Sequence, residues 1–174
     1  MNACQLHTGL QLISHLFSYP NQPQASASVP AEPVEMEAGA LLEAMRSLAP
    51  VRLQNEYVRL FINALPEVPC APYGSVYLED SLMGESTVRV REIYRKYGVE
   101  ATELPDHIAV ESEFLAWLHG LAASDEAARE DYRYLLGHLK EWTTIFFDRV
   151  EQHDQLGCYR QSARLARTLL ARIN

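Results

Sequence analysis

Leu104-Pro105-Asp106-His107-Ile108-Ala109-Val110-Glu111-Ser112-Glu113-Phe114-Leu115-Ala116-Trp117-Leu118 is the most apolar helical stretch of the chain, and it decides the fold class. Proline is well placed in a first helical turn, where its missing N–H has no partner to lose. The apolar residues after it recur at helical spacing rather than alternating as in a strand, which predicts a helix from Pro105 to about Ala123.

The same logic extends toward the C-terminus. Ser124 supplies a capping side chain, with Asp125 and Glu126 at the positive end of a new helix. Gly137 suggests a bend before Leu139, Trp142, Phe146 and Val150, which share one face. Gly157 separates a last helix lined by Tyr159, Ala163, Ala166, Leu170 and Ile173.

Toward the N-terminus, a helix over Glu85 to Tyr97 stops at Gly98, placed for a left-handed cap. Leu65 to Asp80 holds Pro66, Pro69, Pro72 and Gly74, and is read as an ordered loop, with short strand-like alternation at Ser75 to Leu78. A helix opening at Pro50 carries Leu53, Tyr57, Leu60, Phe61 and Ala64 on one stripe, and is expected to form a hairpin with a helix over Val34 to Leu48. Leu6, Leu10, Ile13 and Phe17 mark the first helix. The Pro-, Ser- and Ala-rich stretch from Ser18 to Pro33 reads as a solvated, mobile connection. The expectation is one all-α domain over 1–174, a bundle of about seven or more helices.

A chain of 174 residues, 48% hydrophobic, can bury a full core without disulfides or metal. Cys4, Cys70 and Cys158 lie far apart and form no C-x-x-C pair, which favours a reducing compartment. The first Lys or Arg is Arg46, so a secretory signal is not expected, and no apolar run approaches the roughly 20 residues of a membrane span. The formal charge of −8 argues against nucleic acid, because phosphate binding requires a basic surface. It suits a cationic partner, although acidity also serves solubility alone.

Motifs of catalysis are missing. The chain has no Walker loop, G-x-G-x-x-G or H-E-x-x-H, no Glu-x-x-His of a di-iron bundle, and Gly74-Ser75 lacks the second glycine of a nucleophile elbow. His107 and Glu111, at i and i+4, could present two metal ligands, and a metal-binding protein or enzyme built on them is the alternative reading. The competing account of that pair is a helix-start histidine bonded to a carboxylate.

Three segments carry a resemblance: Glu56-Tyr57-Val58-Arg59-Leu60-Phe61, Ala71-Pro72-Tyr73-Gly74-Ser75-Val76-Tyr77, and the Leu104 to Leu115 stretch. In order and spacing they resemble the E-Y-x-R-L-F, P-x-x-S-V-Y and E-P-D-H-x-x-x-E-x-x-F-L segments of the TorD/DmsD/NarJ family of molybdoenzyme maturation chaperones. The likeness is densest over Glu56 to Leu118. Leu104 stands where the family usually has Glu, with an acid one position earlier at Glu103, and Tyr73 stands where some members have Trp.

The resemblance implies a cytoplasmic, non-enzymatic chaperone without a cofactor. It would bind the N-terminal, often twin-arginine, signal or precursor of a molybdopterin oxidoreductase and couple cofactor insertion to export or assembly. Such a protein needs an apolar groove and carboxylates for arginines. Leu60, Phe61, Pro72, Tyr73, Ser75, Val76 and Tyr77 are candidates for the groove, Asp80, Glu103 and Asp106 for guanidinium partners, and His107 for a polar anchor. Leu60 and Phe61 also suit a core stripe, and Asp106 a helix cap. A mainly monomeric protein with a minor domain-swapped dimer, hinged at Ser18 to Pro33, is expected.

Overall fold

The computed structural model describes residues 3–20 and 34–173. The predicted hinge at 18–33 therefore lies almost wholly outside the described residues. Eight helices are present among them: α1 (Ala3–Leu16), α2 (Val34–Ser47), α3 (Pro50–Tyr57), α4 (Gly74–Glu79), α5 (Glu85–Lys96), α6 (Ile108–Ala122), α7 (Glu126–His153) and α8 (Cys158–Arg172). The all-α expectation holds.

α1, α6, α7 and α8 close into a ring, each packed against the next, around one continuous core. Leu10 and Ile13 from α1, Leu115 and Leu118 from α6, Leu139, Trp142 and Phe146 from α7, and Leu165 and Ala166 from α8 are fully buried there. Their i, i+3, i+4 spacing turns one stripe of each helix inward, the requirement for helices that share a core. α4 lies on α7 and reaches α5, which places the Pro72 to Tyr77 segment on the flank of the ring.

Several boundaries differ from the sequence reading. α7 runs unbroken through Gly137, because its long apolar stripe against α6 and α8 outweighs one residue's poor helix propensity. Its cap is Asp125 rather than Ser124: the carboxylate accepts from the N–H groups of Ala127 and Ala128 at 2.9 and 3.2 Å. α2 packs chiefly on α8, not in a hairpin with α3, since the stripe of Ala38, Leu41, Leu42 and Met45 finds its apolar surface there. α3 continues as a π-helical turn over Val58–Ile62, closed by Asn63 N–H donating to Val58 O at 2.8 Å. Gly98, at φ +68°, ends α5 as expected. Tyr73 to Asp80 is mostly helix α4, where a loop with strand-like alternation was expected.

Candidate functional site

The site grows from a short backbone pairing that the sequence did not reveal. Tyr73 and His107 form an isolated antiparallel bridge: Gly74 N–H donates to Asp106 O at 3.0 Å and Ile108 N–H to Pro72 O at 2.9 Å. This joins the entry of α4 to the entry of α6. α6 begins at Ile108 rather than Pro105, with His107 as its N-cap; the imidazole Nδ1 accepts from Ala109 N–H at 3.1 Å. Burial holds the His107 pKa down at about 4 against the opposing pull of Glu103 and Asp106. The ring is therefore neutral at neutral pH, with its proton on Nε2.

Asp106 is fully buried. Its Oδ2 accepts from Ser75 N–H and from the Thr87 hydroxyl, both at 2.9 Å, so one carboxylate caps α4 and ties it to α5. The expectation of Asp106 at a rim is thus corrected to an internal position. Ser75 is fully buried for the same reason, and Leu60 and Phe61 are core: Phe61 packs against Phe17, Tyr57, Phe146 and Tyr159.

Gly74 explains how closely α4 can dock. A Cβ there would stand 2.8 Å from His138 Cε1 and 2.9 Å from Trp142 Nε1, so any other residue would push the helix off α7. Beneath it, His138 Nδ1 lies 2.7 Å from Glu111 Oε1, with both side chains buried. Burial alone would lower the His138 pKa, but the Glu111 hydrogen bond and charge outweigh it and raise it. Burial pushes the Glu111 carboxyl up, with His138 working against it. Glu111 is thus engaged with α7 rather than with His107. Among the described residues no three His, Cys, Asp or Glu side chains assemble into a metal-binding group.

What remains accessible is aromatic and acidic. Tyr73, half-buried, sets its ring edge-on to His107 at 5.2 Å, and its hydroxyl donates to Glu103 Oε1 at 3.4 Å. Burial and the neighbouring Glu103 push the phenol up to about 12. Tyr77 stacks on Trp142 at 5.6 Å, beneath the Arg149 guanidinium at 5.2 Å. Val76 is half-buried, Pro72 is buried, and Glu103 and Asp80 are exposed. Asp80 takes the left-handed conformation at φ +50° that ends α4. A groove of ≈ 460 Å³ between the C-terminal half of α5 and residues 99–105 opens beside Glu103.

The E-Y-x-R-L-F segment has a different role. Glu56, buried, receives Arg59 Nε and Nη2 at 2.8 and 2.7 Å and the Gln155 N–H at 2.7 Å, while Arg59 also donates to His153 O. The motif staples α3 to the turn between α7 and α8. Burial would raise the Glu56 pKa, but these donors hold it below the usual carboxylate range. Sequence reading missed this staple, as it missed Thr87 and His138. His138 was the most accessible of these, lying one turn before Trp142 on the inward stripe of α7.

The sequence pattern of the nitrate reductase delta subunit family matches residues 29–148. The chain belongs to that family. This is the TorD/DmsD/NarJ grouping that the three motif segments indicated. A chaperone protein TorD from Vibrio cholerae serotype O1 (Classical Ogawa) is 30% identical over 147 residues, and one from the El Tor Inaba strain is 29% identical. Each alignment covers 75% of this chain, and the chain spans 66% of the length of these curated relatives. A crystal structure from Archaeoglobus fulgidus, described as a redox enzyme maturation protein, superimposes with a TM-score of 0.66 at 29% identity, covering 95% of this chain and 94% of that one. Family membership accounts for the motif set, and the structure divides the motifs physically: the Glu56 segment staples helices, whereas the other two are joined by the bridge between Tyr73 and His107.

Proposed function

We propose that this delta-subunit-family chain is a cytoplasmic maturation chaperone for a molybdopterin oxidoreductase, holding the N-terminal signal or precursor segment of that client. The observation that supports this most is the bridge between Tyr73 and His107. It sets the half-buried Tyr73 against the exposed carboxylate of Glu103, with the half-buried Val76 and Tyr77 following in α4. An apolar client segment would lie on the tyrosines. Its arginines would meet Glu103 and Asp80, neither of which makes an ion pair among the described residues. Asp106, His107, Ser75, Leu60 and Phe61 contribute by holding that surface in shape. The role requires no catalytic group and no bound cofactor. A mainly monomeric state with a minor dimer belongs to the same reading, and light scattering that gave one obligate oligomer at every concentration would count against it.

The test is a titration of a labelled peptide, carrying the arginine-containing N-terminal sequence of a molybdopterin oxidoreductase precursor, against the wild type, Tyr73→Ala, Glu103→Gln and Glu130→Ala. Loss of the Tyr73 ring should weaken binding by about 1–2 kcal/mol. Loss of the exposed Glu103 charge should cost roughly 0.2–1 kcal/mol, and less at high salt. Glu130, exposed on α7, serves as the control. Equal affinity in all four proteins, with unchanged melts, would move the client elsewhere on the bundle.

A further inference from the structure

α4 is six residues long, too short to hold a helix unaided, so whatever fixes it on α7 also fixes Val76 and Tyr77. That contact has a polar centre. Gly74 rests against the His138 imidazole, and one turn further along α7 the Trp142 indole carries the Tyr77 ring at 5.6 Å. The imidazole Nδ1 is engaged with Glu111 Oε1 at 2.7 Å, so a single buried ring stands between α4 and α6.

The carboxylates that face this ring outnumber its cations. Glu111 and Asp106 act on it from α6 and the entry to α6, Glu141 from its own helix, and Glu79 from α4. Tyr134, stacked on it at 6.5 Å, carries the Arg89 guanidinium of α5 at 5.6 Å, but that cation pairs with Glu92. Among the described residues no Lys or Arg forms an ion pair with any of these four carboxylates. Glu111 Oε2 and Asp106 Oδ1 are buried and find no hydrogen-bond donor. The two fully buried carboxyl groups of this contact therefore depend on the imidazole, and a buried charge left without its partner is costly. Burial raises the Glu111 carboxyl, and at His138 the Glu111 bond and charge overcome the opposing effect of burial, so the pair keeps its shared proton above the ordinary imidazole value of 6.5.

We infer that Glu111 and His138 are positioning residues for α4: the proton they share holds α4 on α7, and its loss as pH rises loosens α4 and uncovers Trp142. Deprotonation leaves the Glu111 carboxylate buried beside Asp106 with no cation, and the short helix above that contact is the element free to yield. On the function proposed above, on which this second step rests, client affinity falls over the same pH range because Tyr77 and Val76 leave their places.

The experiment uses the full chain with Trp117→Phe, which leaves Trp142 as its one tryptophan. The bimolecular quenching constant of Trp142 by acrylamide is followed from pH 6 to 9.5, and the His138 ring is titrated by NMR with 13C-labelled histidine. His107, held at about 4, has lost its proton below this window. The quenching constant should rise at least about threefold, with the midpoint of the His138 titration and above 6.5. His138→Gln, which leaves Glu111 charged without a cation, should be quenched at every pH as the parent is at 9.5. Glu111→Gln, which removes the charge, should stay protected at every pH, and a merely structural pair would not send the two variants to opposite limits. Should His138→Gln fail to fold, the parent profile and Glu111→Gln still decide. The labelled arginine-containing peptide used above, N-acetylated so that its charge is constant, should bind at least about fivefold more weakly at pH 9.5 than at pH 6, and equally at both in Glu111→Gln. A level quenching constant while His138 titrates, a His138 midpoint at or below 6.5, or like behaviour of the two variants would overturn the inference. Peptide affinity that stayed level while Trp142 became exposed would overturn the link to the client. Absence of peptide binding at every pH would count against the proposed function, and the Trp142 profile would still decide the positioning of α4.

Discussion

Replacing Asp106 with Ala removes one acceptor that serves two buried donors. Ser75 N–H and the Thr87 hydroxyl both reach Oδ2 at 2.9 Å, and all three residues are fully buried. A hydrogen bond to a charged group is worth about 1.5–3 kcal/mol, so two such bonds at the lower end give about 3 kcal/mol for Asp106→Ala. Asp106→Asn keeps an oxygen for the same donors but sets an NH2 group where Oδ1 finds no partner, and should cost about 1–2 kcal/mol. For a chain of this length each kcal/mol moves Tm by about 2–4 °C. The alanine variant should therefore melt about 6–12 °C lower and the asparagine variant about 2–8 °C lower. Circular dichroism melts and urea titrations measure both, and a cycle with Thr87→Val isolates the shared bond, with a coupling of about 1 kcal/mol expected. If both variants melted with the wild type while losing affinity for a client peptide, Asp106 would be a client contact, and the cap would not be what holds α4.

Glu56→Gln should destabilise by about 2–4 kcal/mol, because it breaks a bidentate pair with Arg59 and weakens the bond to Gln155 N–H; an unchanged urea midpoint would refute the staple. Gly74→Ala gains helix propensity but drives a Cβ into His138 and Trp142, and the clash should win, with a net loss of about 1–3 kcal/mol on denaturation. His107 supplies a pH dependence. Its folded pKa of about 4 lies below the ordinary 6.5, so the unfolded chain takes up the proton first, and stability is lost as pH falls from about 6.5 toward 4, by up to about 3 kcal/mol. The raised His138 acts in the opposite sense, its contribution being present below pH 6.5 and lost as pH rises through its own pKa. The difference between wild type and His107→Asn, which keeps a capping side chain, isolates the first effect. Parallel pH–stability curves for the two proteins would contradict it.

Most helices were legible because their signals are local. Apolar spacing, Pro50 at a first turn and Gly98 and Gly157 in left-handed conformations act within a few residues, so α1, α2, α3, α5 and α8 fall close to where periodicity puts them. The same locality misled where distant packing decides. Gly137 continues a helix because α7 is held along its length by α6 and α8, and α2 pairs with α8 because that is where its stripe can be buried. At the site, the motifs told which residues belong together but not what each does.

The sequence by itself determined an all-helical chain, its family, and a cluster of aromatic and acidic residues around positions 72–77 and 103–107, because composition, periodicity and motif order are properties of the chain alone. Only the tertiary structure decided which of them face outward. Asp106 was read as capping or client-binding, and lies buried because the partners of its carboxylate, Ser75 and Thr87, are 31 and 19 positions away. Glu111 sits four residues from His107 yet pairs with His138, 27 positions on. Hydrogen bonds across such separations form only when helices have packed, and no local spacing encodes them. Tyr73 and Glu103, 30 positions apart, meet for the same reason: the bridge that joins the entries of α4 and α6 exists only once both helices lie against α7.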